Sequence, residues 1–227
     1  MCNKFAQLVT RPDGTQHYLR PHYDEVDYEI ARLNFLERMP TLAKKFPGYK
    51  ADVIFSNGKE DVFHQGFRWG VKPHWSKELI NCTRSENLFS ATWKPFIMNR
   101  CIIPIECFYE WKEENGLRIP FRIRPSETTG FYLAGIFGSS KNAGEVGADH
   151  PWFSILTQEA NLKMREIHNS GNNRWRQPVL MEEKNIDAWL ERTELSYNSL
   201  LDLIPTYTSE RIVAEREIES GSQMNLF

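Results

Sequence analysis

Short segments rich in apolar, β-branched and aromatic residues recur along the chain between Gly and Pro signals. They are KFAQLV (4–9), ADVIF (51–55), FRWGV (67–71), RCIIPIECFYEW (100–111), PFRIR (120–124), FYLAGIF (131–137), WFSILT (152–157) and PVLM (178–181). Most are too short for a stable helix and have the composition of strands. That many strands in one chain of 227 residues predicts a strongly bent, mostly antiparallel sheet or partial barrel. Helical patterns are fewer. EVDYEIARLNFLERM (25–39) has apolar residues at helical spacing and stops before Pro40. Short helices are expected over 160–168 and 184–192, and Ser196 has the chemistry to cap another through Leu203. The fold class is therefore α+β, a bent sheet with a few flanking helices. No internal repeat is present, KNAGEVGAD (141–149) and NSGNNRW (169–175) read as surface loops, and the expected organisation is one domain over 1–219 with a flexible tail over 220–227.

Long apolar runs are absent, and MCNKFAQLVTRPDG lacks the apolar stretch of a secretory signal, so a cytoplasmic protein is expected. Cys2, Cys82, Cys101 and Cys107 show no paired-Cys spacing, and free thiols are expected in a reducing compartment. The six His show no His-x-x-x-His spacing, so neither a metal nor a cofactor is expected. A formal net charge of −2 argues against nucleic-acid binding by the whole surface and leaves room for a local basic groove.

Cys2 carries the most distinctive chemistry. Aminopeptidases remove Met1 before a small residue, and removal here exposes a thiol and a primary amine on adjacent carbons. The amine condenses with an aldehyde to an imine, and the thiol then closes a five-membered thiazolidine. An α-amino pKa of about 8 leaves part of the amine neutral near neutral pH. A small second residue is also common for no reason beyond processing, so Cys2 alone decides nothing.

Four further segments follow MCNKFAQ in order: WGVKPHW (69–75), INCTRSEN (80–87), RCIIPIECFYEW (100–111) and LTQEANLKMREIHNS (156–170). Together, over about residues 1–181, they resemble the SRAP family, whose members sense and crosslink abasic sites in single-stranded DNA. The resemblance implies that Cys2 is the nucleophile, linked as a thiazolidine to the ring-opened deoxyribose. It implies that Asn81 holds the amine or the sugar oxygen, that Glu110 takes protons from the amine, and that His168 assists ring opening or proton transfer. Read singly, Glu110 suits a surface ion pair, His168 a helix C-terminus and Asn81 a turn. The chain also departs from the family pattern. Cys2-Asn3-Lys4-Phe5 stands for C-G-R-F, the segment after Asn81 is one residue longer than N-A-R-x-E, and an insertion separates His168 from Arg176-Gln177-Pro178, with Arg174 a competing match.

Single-strand binding needs cations for phosphates and flat side chains for bases. Lys4, Arg84, Arg174 and Arg176 are the phosphate candidates, with Thr157 beside them; Trp69, Pro73 and Trp75 are the candidates for stacking or wedging, although a Trp pair also suits a core. At the C-terminus Gln223-Met224-Asn225-Leu226-Phe227 resembles the bacterial sliding-clamp-binding peptide, with Gln223, Met224, Leu226 and Phe227 as its contacts on a Ser/Gly tether. The expected partners are single-stranded DNA containing abasic sites and the sliding clamp, for a monomer associated with the nucleoid when engaged. Three other readings fit the same residues: an N-terminal-nucleophile amidohydrolase using Cys2, autocatalytic removal of Met1, and a non-catalytic single-strand-binding module.

Overall fold

The apolar segments do fold as strands, and several are buried on both faces. The computed structural model of the chain describes residues 4–10, 16–18, 44–45, 48, 50–57, 62–128, 130–205 and 207–217. In chain order the strands are β1 (Phe5–Ala6), β2 (Leu8–Thr10), β3 (Gln16–Tyr18), β4 (Lys44–Lys45), β5 (Lys50–Ser56), β6 (Val62–Trp69), β7 (Cys82–Arg84) and β8 (Arg100–Ile105). They continue as β9 (Cys107–Glu114), β10 (Leu117–Pro125), β11 (Phe131–Ser139), β12 (Pro151–Glu159), β13 (Arg176–Pro178), β14 (Leu180–Met181) and β15 (Ile212–Arg216). The helices are short: α1 (Leu162–Ile167), α2 (Ile186–Leu190) and α3 (Tyr197–Asp202). Among the described residues no helix is long and apolar enough to cross a membrane. The helix expected over 25–39 and the tail over 220–227 lie outside the described residues.

The expected bent sheet goes further and closes. β12 pairs antiparallel with β11, β11 with β8, β8 with β5 and β5 with β6. β6 then returns to β12 in parallel, through Trp152↔Arg68 and Phe153↔Trp69. The result is a five-stranded barrel, which removes most of the sheet edge that an open sheet would leave. Alternate residues of each barrel strand enter two different cores. Ala51, Val53, Cys101, Ile103, Leu133, Phe153 and Ile155 pack in one. Ile54, Ile102, Ala134, Ile136, Trp152 and Leu156 pack in the other, under α2 and α3. Double burial explains why these strands read as nearly continuous apolar runs rather than as alternating ones. Gly135 sits where the packing is tight, since a Cβ there would lie 2.8 Å from Ile103 Cδ1 and 3.0 Å from Ser154 O.

A second, antiparallel sheet runs in the order β15-β10-β9-β1-β4. RCIIPIECFYEW divides between the two sheets at Glu106: β8 belongs to the barrel and β9 to the second sheet. One segment therefore ties the core of the barrel to the strand that carries Glu110.

The helix signals are local and hold. Asn161 Oδ1 accepts from Met164 N at 2.9 Å to start α1, and Ser196 Oγ accepts from Ser199 N at 3.1 Å to start α3. The helix expected over 184–192 is a 3₁₀ turn at Glu183–Asn185 followed by α2. Arg100, only 1% exposed, anchors the end of α2 by donating to the carbonyls of Trp189 (2.7 Å), Ile97 (3.0 Å) and Glu191. Burial pulls its pKa down to about 10, still well above neutrality.

Candidate active site

β1 is short but firmly placed. Phe5 pairs with Phe108 and Ala6 with Cys107 on β9. Tyr109 N then donates to Lys4 O at 2.9 Å, so the ladder extends to the first described residue. Phe5 is fully buried and packs against Trp69 with ring centroids 4.6 Å apart. Lys4 is thus held beside the residue that precedes Glu110.

Glu110 is 2% exposed. Burial raises its pKa to about 7, and the Trp111 backbone N–H and the Arg118 charge oppose that shift without cancelling it. Near neutral pH both the acid and the carboxylate are populated, as proton exchange requires.

Asn81 is set by a loop that leaves the barrel and returns. β6 ends at Trp69, and Gly70 turns the chain out at φ +101°, where a Cβ would lie 2.8 Å from Leu79 Cγ. Val71 and Ile80 exchange backbone hydrogen bonds at 3.1 and 2.8 Å, closing the loop. The chain re-enters as β7, parallel to β12 through Ile155↔Cys82 and Thr157↔Arg84. Asn81 O accepts from the Trp69 indole N–H at 2.9 Å and from Ile155 N at 3.1 Å. Burial pushes the neighbouring Cys82 thiol up to about 12, and the Glu110 charge adds to that shift.

His168 caps the C-terminus of α1. Its Nδ1 lies 3.0 Å from Arg176 O. A carbonyl only accepts, so Nδ1 carries the proton and Nε2 is left as the basic nitrogen. Burial holds the imidazole pKa below its usual 6.5, and the Arg118 charge adds to the effect, so the neutral ring prevails at neutral pH. The next residue, Asn169, fastens this corner to β9: its amide accepts from Glu113 N at 2.9 Å and donates to Glu113 O at 3.0 Å. The Arg118 charge acts on both Glu110 and His168.

The expected DNA-contacting residues divide. Trp69 is fully buried and stacks on Phe153, and Pro73 is buried as well, so neither offers a face to a base; both are corrected to interior positions. The reason is that the β6–β12 pairing carries Trp69 into the barrel core. Thr157 is likewise interior, at 1% exposure, with its Oγ1 3.4 Å from Thr83 O. Trp75 is 56% exposed. Arg176 is taken by Glu86, which accepts from Nη1 at 2.6 Å and from Nη2 at 2.8 Å, while Nη2 also reaches Thr157 O at 2.7 Å. Burial would raise the Glu86 pKa, but the Arg176 hydrogen bonds and charge hold it below the usual carboxylate value. Arg176 is thus a brace whose own carbonyl orients His168. Lys4 reaches Glu217 at 3.2 Å and lies 4.1 Å from the Tyr109 ring centroid. Arg84 and Arg174 are exposed, and Arg84 Nη2 donates to Asn173 Oδ1 at 3.2 Å. Cys2 and the pentapeptide of Gln223, Met224, Leu226 and Phe227 lie outside the described residues. Among the described residues no three His, Cys, Asp or Glu side chains gather as a metal site.

Arg118 and Trp175 escaped the sequence reading. Asn115 and Gly116, at φ +52° and +77°, form the Asn-Gly hairpin turn that brings Arg118 opposite Glu113, and that dipeptide was the available signal. For Trp175 the signal was one large aromatic in an otherwise polar loop.

The chain matches the family model described as SOS response associated peptidase (SRAP) over residues 1–219. It is 31% identical over 177 residues to the abasic site processing protein YoaM of Bacillus subtilis, covering 74% of each chain. It is 27% identical over 202 residues to the abasic site processing protein YedK of Escherichia coli, covering 86% of this chain and 82% of the other. A crystal structure of a protein from Bacteroides thetaiotaomicron superposes with a TM-score of 0.71 at 20% identity, covering 96% of this chain and 93% of that one, which establishes a shared fold.

Proposed function

The chain belongs to the SRAP family, and on that footing we propose that it processes abasic sites in single-stranded DNA by covalent capture through Cys2. One observation carries the reading: the hydrogen bond from Tyr109 N to Lys4 O holds the amino end of the chain one residue from Glu110. Asn3 alone stands between Lys4 and Cys2, so the two are two residue steps apart, a reach of about 7 Å in extended chain. A reach of that length allows Cys2 to act with Glu110, and His168 and Asn81 complete the proposed set.

With Met1 removed, Glu110 takes a proton from the α-ammonium and frees its lone pair. His168 Nε2 accepts the proton of the sugar C1′ hydroxyl as the ring opens to the aldehyde, and O4′ is protonated. The amine adds to C1′ and water leaves, giving an imine. The Cys2 sulfur then bonds to C1′ and its proton passes to the imine nitrogen, closing a thiazolidine. One water is lost overall and nothing is oxidised or reduced. The Asn81 amide holds the amine or the sugar oxygen without titrating. Arg84 and Arg174 meet the phosphates and Trp75 offers a stacking face. The C-terminal pentapeptide delivers the protein to the sliding clamp, which a pull-down that loses the clamp on deletion of residues 223–227 would support and one that retains it would refute.

Intact mass spectrometry tests the chemistry. The expected species has the summed masses of the Met1-less protein and the abasic oligonucleotide, less one water. A sum with no water lost contradicts ring closure. Turnover of a small amide with no adduct favours the amidohydrolase reading instead.

A further inference from the structure

Trp175 stands out among the large side chains. It is 47% exposed and sits in left-handed backbone, φ +64°, which a bulky residue rarely adopts. Two hydrogen bonds hold it there: Trp175 N donates to His168 O at 2.9 Å, and Trp175 O accepts from Ala160 N at 2.9 Å. The guanidinium of Arg174 lies 4.5 Å from the centre of its ring. Gly171, Asn172, Arg174 and Trp175 line an open concavity of about 540 Å³, a size that admits a nucleobase. The loop is fastened at both sides, by Asn169 to Glu113 on β9 and by Asn173 to Arg84 on β7. None of these contacts needs an indole, and burial does not explain one.

We propose that Trp175, backed by Arg174, is the stacking platform for the base adjacent to the lesion. The proposal rests on the single-strand reading above. An abasic site presents no base of its own, so affinity has to come from its neighbours and from phosphates. The Trp175 backbone is hydrogen-bonded directly to that of His168, which ties the platform to the residue proposed to act on the sugar. A guanidinium on one face holds the indole in place and leaves a cation beside the backbone, while Arg84 on β7 adds a second cation bonded to the loop through Asn173. Backbone strain held by its surroundings next to a reactive group is the expected signature of a residue kept for contact rather than for folding.

The test uses the full chain carrying Cys2→Ala, so that capture does not obscure equilibrium binding. Two oligonucleotides are compared by fluorescence anisotropy: one with an abasic site between ordinary nucleotides, and one in which the flanking positions are base-free spacers as well. The parent is expected to favour the first by about tenfold, the scale of one base on one aromatic. Trp175→Ala and Trp175→Gly should abolish that preference, and Trp175→Phe should keep most of it. Trp175→Gly also controls for folding, because glycine relieves the left-handed backbone and its melting temperature should not fall. A Trp175→Gly protein that keeps the parent's preference overturns the proposal. A wild-type protein that forms no covalent adduct, yet shows a base preference dependent on Trp175, overturns the capture reading and leaves the platform standing.

Discussion

Two groups beside the amino end of the chain are tuned in opposite directions by the same burial. The Glu110 pKa rises to about 7, and that of His168 falls below 6.5. The consequences for stability have opposite signs. A carboxyl raised above its unfolded value of about 4.5 contributes stability that is complete below that pH and is lost as the pH rises through about 7. An imidazole lowered below its unfolded value contributes stability that is present above about 6.5 and lost as the pH falls through the lowered value. Glu110→Gln should therefore raise the melting temperature relative to wild type at about pH 8.5 and leave it little changed near pH 4; an equal shift at both would show that Glu110 is not strained by ionisation. The same substitution should slow capture by about a hundredfold or more, as should His168→Ala, and single-turnover gel kinetics measure both. Asn81, Glu110 and His168 could be put forward from the sequence because each sits in a motif. The loss of Trp69 and Thr157 to the interior, and the use of Arg176 as a brace for Glu86, were not legible, since a residue's type does not say which partner the fold brings to it.

At the scale of elements, the strands were legible because double burial writes itself as apolar runs, and the cap at Ser196 because its donor lies three residues away. Closure of the barrel was not legible. It depends on the parallel β6–β12 contact at Arg68–Trp69 and Trp152–Phe153, some eighty residues apart in sequence, and on the loop that lets β7 continue beside β12. Arg100 shows how strongly one element depends on another, because it donates to the carbonyls of Trp189 and Glu191 at the end of α2. Arg100→Met should destabilise the fold by about 3 kcal/mol, as buried carbonyls lose their donor, which urea unfolding measures; a loss within about 0.5 kcal/mol would mean that water replaces the guanidinium. Asn169→Ala should loosen the His168 corner from β9 and lower the capture rate more than the melting temperature.

For the whole molecule, a net charge of −2 means that any grip on DNA is local. The exposed cations of Arg84 and Arg174 cluster on the His168 side of the barrel, tied to one loop. Arg84→Ala should weaken single-strand binding and flatten the dependence of log K on log salt by about 0.7, the value of one phosphate contact; an unchanged slope would remove Arg84 from the contact surface. The arrangement as a whole joins a closed barrel, a second sheet that holds Lys4 beside Tyr109, and a loop after His168 that carries Arg174 and Trp175. The most direct test mixes Met1-processed protein with a single-stranded oligonucleotide bearing one abasic site and runs a denaturing gel beside Cys2→Ala. A band shifted by the mass of the oligonucleotide, stable to denaturation and absent from the mutant, is the predicted result. A shifted band that persists in Cys2→Ala, or no band from fully processed wild type, would contradict capture through Cys2.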